Sequence, residues 1–260
     1  MDKIEAKEFA FYRFRQLAGH AEVVHYVSSG MKNIGFSEGG DAGQIRQNRL
    51  LLARAVGIDP ERWVTGHQIH SDRIAVVTGE DAGSGGLDRI SRLPDTDGLV
   101  TDRRGICLMV LSADCVPVLL YDPWKKVIAA VHAGWRGTAA RIAAKAVAVM
   151  KDRFGCLPER ILAGIGPSIG PCCFEVDEKV AGVFRELFPS ERDIVVPGQR
   201  EGKFQVDLWE ANRMELIETG VKNSNIELAG MCSVCHPDRF FSYRRDGIEA
   251  GRFGAGICLK

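Results

Sequence analysis

Apolar runs and polar breaks alternate through the middle of the chain, and the pattern predicts its elements. Two apolar runs, residues 116–121 and 127–131, flank the polar stretch D-P-W-K-K at 122–126. Short β-rich runs around a Pro-containing break predict a hairpin. The apolar run 106–111 predicts a buried strand leading into it. Upstream, residues 9–27 predict two strands, and the Gly-rich, polar stretch 30–43 predicts an irregular loop. Ile45, Leu52 and Val56 recur at helical spacing, so 44–56 predicts a helix with Gly57 as its left-handed stop. Residues 63–67 and 73–77 predict strands on either side of the loop 68–72. A glycine-rich loop at 79–87 follows, then P-D-T-D-G at 94–98, which reads as a tight turn.

Downstream, the Ala-rich stretch predicts a helix over 139–154 with Thr138 as its N-cap. Residues 160–165 predict a strand and 177–188 a helix. Asp207 is placed to cap a second helix that stops near Gly220, and 226–231 predicts a strand. A loop from Phe240 and a final strand reaching Leu259 close the chain. Strands and helices mix without regular βα alternation. The expected fold is therefore α+β, a single layered domain over residues 1–260 with mixed β-sheets and outer helices.

The hairpin brings chemistry together. Cys115 lies nine residues before Trp124 and His132 eight after it, so a bend near Trp124 sets the two almost opposite. A thiolate and an imidazole in that relation can grip one metal ion, with Zn–S about 2.3 Å and Zn–N about 2.0–2.1 Å. A catalytic metal needs a third protein ligand and an open position. His70, in a loop, is better placed for this than His67, which ends a predicted strand. Beyond His132, G-W-R-G-T at 134–138 opens a helix, and Arg136 and Thr138 are candidate phosphate ligands there. Arg244 and Arg245 are further candidates for the anion site, and Asp114 is a candidate acid/base group.

Charge and composition narrow the class. Lys plus Arg and Asp plus Glu balance at 34 each, so no global field favours nucleic acid or an anionic membrane. The N-terminal stretch lacks an apolar signal core and no run approaches a membrane span, which predicts a cytoplasmic protein. The eight cysteines then read as thiols, ligands or core rather than disulfides. C-S-V-C-H at 232–236 matches a c-type haem attachment pattern over only five residues. Cys172 and Cys173 form a second zinc site with Cys232 and Cys235 if the fold gathers them.

Several motifs occur in order: Q-I-H at 68–70, A-D-C at 113–115, V-H-A-G-W-R-G-T at 131–138, G-P-S-I-G-P-C-C-F-E-V at 166–176 and F-F-S-Y-R-R-D-G at 240–247. Together they resemble the laccase-domain, YfiH-type family of purine nucleoside phosphorylases, formerly called multicopper polyphenol oxidases. The resemblance spans roughly residues 60–258. It implies a metal, zinc or alternatively copper, held by His70, Cys115 and His132. It also implies phosphorolysis of adenosine or inosine to base and ribose 1-phosphate, with adenosine deamination and methylthioadenosine cleavage as related activities. The expected partners are thus a purine nucleoside and phosphate. One departure stands out: family members carry an Arg in an F-S-T-R-like stretch near the N-terminus, and the corresponding residues 27–31 here have none. Three other readings use the same residues. They are a copper phenol oxidase, a hydrolase of cell-wall precursors with Cys115 as nucleophile and His132 as base, and a metal-binding module without turnover.

Overall fold

The computed structural model of the chain describes residues 1–6, 9–36, 41–190 and 192–260. Two six-stranded sheets form its centre. The first runs, edge to edge, Asp2–Ala6, Phe9–Arg13, Val23–Ser29, Phe253–Leu259, Cys107–Ser112 and Trp63–Val64. The second runs Ile226–Leu228, Leu162–Ile165, Val116–Asp122, Val127–Ala133, Gly98–Thr101 and Ile74–Val76. A small third sheet combines Glu175–Asp177, Lys203–Val206 and Val195–Pro197. Parallel and antiparallel pairs occur in both large sheets, so the fold is α+β with mixed sheets, as the sequence predicts.

The central strands are buried on both faces, which is why they read as near-continuous apolar runs. One face of the second sheet packs Leu119, Tyr121, Ile128 and Ala130 against Leu108, Val110 and Ile257 of the first. Its other face packs Val118, Leu120, Ala129 and Val131 against Ala146, Val147 and Met150 of the helix Ile142–Phe154. No helix among the described residues is long and apolar enough to cross a membrane.

Several predicted elements form with their predicted stops. The helix Ala42–Val56 begins at Asp41, whose carboxylate accepts from the Gly43 and Gln44 amides, and ends at Gly57 with φ 70°. Asp207 caps Leu208–Glu218 in the same manner. Part of the predicted loop 30–43, residues 37–40, lies outside the described residues.

Two features near the site differ from the sequence reading. The hairpin pairs Pro117 with His132 and Val116 with Ala133, so Cys115 is diagonal to His132 rather than opposite it. Asp122 accepts hydrogen bonds from the Trp124 and Lys125 amides, and Lys126 takes φ 54°, which moves the bend beyond Trp124. The resulting shift is two residues, and an even shift keeps Cys115 and His132 on one face. The predicted helix over 139–154 is two helices, Trp135–Ala139 and Ile142–Phe154, broken at Arg141 with φ 62°. Thr138 is therefore no N-cap. It is buried inside the first short helix, where its hydroxyl accepts from Asn212 Nδ2 at 3.0 Å.

Candidate metal centre and active-site cleft

Cys115 and His132 sit at one end of the second sheet, where the chain enters Val116–Asp122 and leaves Val127–Ala133. The loop carrying His70 closes over that end. Gln68 anchors it by pairing its side-chain amide with both the N–H and the C=O of Leu111, each at 2.8 Å. His70 then adopts φ 63°, a left-handed conformation uncommon for a residue with a side chain. The ligand atoms of His70, Cys115 and His132 all lie within 4.8 Å of one another. The predicted triad is thus assembled, whereas His67 turns away toward Asp95.

Asp97, read from sequence as part of a turn, organises this cluster. Its buried carboxylate accepts from the amides of Ile69, His70 and Ser71, from the Ser71 hydroxyl and from His132 Nδ1 at 2.8 Å. Burial opposes its charge, but the bonds from His132 and Ser71 outweigh it and hold the carboxyl at about 2. By occupying Nδ1, Asp97 leaves Nε2 of His132 as the nitrogen free to ligate, the usual arrangement behind a metal-bound histidine. Without metal, burial works against charge on both Cys115 and His132, yet each stabilises the charge of the other. The thiol falls to about 6, helped also by His70, and the imidazole rises to about 9, helped also by Asp97.

The donor set suits a transition metal: one soft sulfur and two imidazoles, a spread that one ion with bonds of about 2.0–2.3 Å can gather. Gly134 supports the fit. A Cβ there would lie 2.9 Å from Cys115 Sγ and 3.0 Å from the His70 ring, so only glycine lets both approach.

The cluster opens into a cleft of about 430 Å³. Phe36, Trp135, Phe174 and Tyr243 supply aromatic walls, and Arg92, Arg244 and Arg252 supply positive charge. Arg92, Arg252 and the aromatic set were not singled out from the sequence, because arginines on polar loops look like solvated charges until the fold converges them. Arg136 is not among the cleft residues: it is exposed, with its guanidinium 4.5 Å from the Trp135 ring centroid. Asp114 lines the cleft, but both of its oxygens are engaged, by the Ser233 hydroxyl and the Arg244 amide, each at 2.6 Å. That makes it a brace between loops rather than a free acid or base. Arg244 reaches the carbonyls of Cys173 and Glu175. Cys172, Cys173, Cys232 and Cys235 form a second cluster, so the thiols of the C-S-V-C-H stretch face other thiols rather than the arrangement haem attachment needs.

The family model described as multi-copper polyphenol oxidoreductase laccase matches residues 19–260. The chain belongs to this family. Among its laccase-family relatives, the purine nucleoside phosphorylase YlmD of Geobacillus stearothermophilus is 39% identical over 225 residues, 86% of this chain and 82% of that one. The adenosine deaminase RL5 of an unknown prokaryotic organism is 41% identical, over 85% of this chain and 84% of its own. The crystal structure of YlmD from G. stearothermophilus superposes with a TM-score of 0.92 at 35% identity, covering 99% of this chain and 98% of that one.

Proposed function

We propose that this laccase-family member is a metal-dependent purine nucleoside phosphorylase, with zinc as the metal held by His70, Cys115 and His132. The observation that carries this reading is the triad opening into a cleft lined by both aromatic rings and arginines. The names of its relatives support it. A purine is flat and apolar on its faces, so Phe36, Trp135, Phe174 and Tyr243 suit its base. Phosphate needs permanent, fork-shaped donors, and Arg92, Arg244 and Arg252 are the guanidiniums at hand. They take over the role that the sequence suggested for Arg136 and Thr138, and they stand in for the family Arg missing at 27–31. In phosphorolysis a phosphate oxygen bonds to the anomeric carbon as the C–N bond breaks, and the bond pair leaves with the base. The arginines hold the attacking oxygen in place, and Asp97 fixes the orientation of His132. A divalent ion in the triad would supply Lewis-acid polarisation. Adenosine deamination is a second activity of the same cleft in this reading. The ligand thiolate and eight unpaired cysteines suit a reducing cytoplasm.

The Cys115–His132–Asp97 chain also fits a cysteine hydrolase, in which an imidazole oriented by a carboxylate activates a thiol. One experiment separates the two. Adenosine is incubated with the zinc-loaded protein with and without phosphate, before and after chelation, and ribose 1-phosphate, adenine and inosine are measured. The expected result is adenine and ribose 1-phosphate only with phosphate, both lost on chelation. Base release that is equal without phosphate and survives chelation would replace the phosphorylase with the hydrolase.

A further inference from the structure

Cys172, Cys173, Cys232 and Cys235 come from two loops far apart in sequence, yet their sulfurs all lie within 4.8 Å of one another. Cys235 Sγ is 3.7 Å from that of Cys172 and 3.5 Å from that of Cys173. Four sulfurs around one zinc at about 2.3 Å stand about 3.8 Å apart along each tetrahedral edge, whereas a disulfide needs about 2.0 Å. Packing does not account for the group. Cys107, Cys156 and Cys258 are buried in the core, as small apolar residues usually are, with Cys107 and Cys258 as cross-strand neighbours, but Cys172 and Cys235 are exposed.

We propose that these four cysteines form a second metal centre, a closed tetrahedral zinc site whose role is structural. The surroundings are built for it. The Gly170 amide donates to Cys232 Sγ at 3.2 Å, a bond that tempers the charge of a thiolate ligand. Gly170 is also where a Cβ would lie 3.2 Å from the Cys232 Cβ and would strike the Trp209 ring at 2.7 Å, so glycine lets the two loops approach. Four thiolates around Zn²⁺ carry a net negative charge, and two guanidiniums flank them. Arg244 holds the Cys173 carbonyl at 3.0 Å, and Arg245 holds those of Ser233 and Val234 at 3.0 and 3.3 Å. His236, whose Nδ1 lies 2.9 Å from the Cys232 carbonyl oxygen, is not among the residues whose ligand atoms gather within 4.8 Å, so sulfur is the ligand set. The clasp has a consequence for the cleft. The loop it fixes carries Ile169 and Phe174, and its carbonyls position Arg244, all three in the cleft wall.

The test uses the full chain purified under reducing conditions with zinc supplied, and reads metal content and zinc X-ray absorption rather than activity. Its outcome is thereby independent of the phosphorylase reading. The expected content is two zinc ions per chain, with a mean of two to three sulfur neighbours per zinc, because a four-sulfur shell is averaged with a one-sulfur shell. In the double variant Cys172→Ser/Cys235→Ser, the content should fall to one zinc and the sulfur number to about one. Both substituted residues are exposed, so the variant keeps its core; the absorption measurement on the unsubstituted protein stands even if it does not fold. A single zinc with one sulfur neighbour in the unsubstituted protein, or two zinc ions retained by the double variant, would overturn the proposal.

Discussion

Cys107 and Cys115 are near neighbours in sequence that meet opposite surroundings. Cys107 is fully buried between the first sheet and the helix Ala42–Val56, and burial pushes its thiol well above the usual range. Cys115 borders the cleft, and its thiol is pulled down by His132 and His70 against the effect of burial. Serine is close to cysteine in size but brings a hydroxyl. In place of Cys107 it buries a hydroxyl in a mostly apolar core with the Tyr26 hydroxyl as its polar neighbour, at a cost of about 1–3 kcal/mol. At Cys115 it removes a soft ligand at a solvent-reachable edge. Metal-free Cys115→Ser should therefore melt close to the parent protein while losing zinc-dependent turnover, and Cys107→Ser should melt several degrees lower with its turnover intact. Thermal melts of the metal-free proteins together with the nucleoside assay check this. An unfolded Cys115→Ser beside an undisturbed Cys107→Ser would reverse the two roles.

Between elements, the legibility of the sequence depended on whether the signal was local. The helix Ala42–Val56 announced itself by apolar spacing and a Gly stop, whereas its Asp41 start fell within the stretch read as loop. The hairpin did so by two apolar runs around a break, and that alone put Cys115 and His132 on one face. Asp97 could not be found this way. Its role follows from the pairing of Gly98–Thr101 with Val127–Ala133, which seats a turn residue beside His132. The break at Arg141 carries no Gly or Pro, and the edge strand Asp2–Ala6 has mostly exposed residues, so neither had a local signal. The packing of Ile142–Phe154 on Leu208–Glu218 hides another nonlocal feature, Glu215. It is fully buried with no well-aligned hydrogen bond to either carboxyl oxygen, and burial raises its pKa to about 8 despite the nearby Arg141 and the amides of Ala143 and Ala144. A folded-state pKa above the unfolded value means that the folded chain holds the proton more tightly. The associated stability is complete below the unfolded value of about 4.3 and is lost as pH rises through about 8. Glu215→Gln should flatten this slope, and at pH 8 it should be more stable than the parent by on the order of a few kcal/mol. Urea midpoints at pH 5 and pH 8 measure it. Equal pH dependence in the two proteins would mean that Glu215 titrates normally.

At the scale of the whole molecule, the two ends of the chain are held in one sheet. The last strand, Phe253–Leu259, lies between Val23–Ser29 and Cys107–Ser112, and it forms hydrogen-bonded ladders with both. Its inward face adds Phe253, Ala255, Ile257 and Leu259 to the core layer that also contains Leu119, Tyr121, Ile128 and Ala130 of the second sheet. Each sheet also packs its outer face on helices of its own, but the layer between them is shared, so neither can leave the other without exposing the other's inner face. The metal triad draws on the same continuity, since His70, Cys115 and His132 come from a loop and two strand ends that both sheets help to place. The expected behaviour is that residues 1–260 unfold as one cooperative unit. Scanning calorimetry of the zinc-loaded protein should give a single transition whose calorimetric and van't Hoff enthalpies agree. Deleting residues 251–260 should remove the central strand of the first sheet and leave no cooperative transition, although the deletion touches none of the three triad residues. Two resolved transitions in the full-length protein, or a truncated chain that still melts cooperatively, would show instead that the second sheet and its helices fold by themselves.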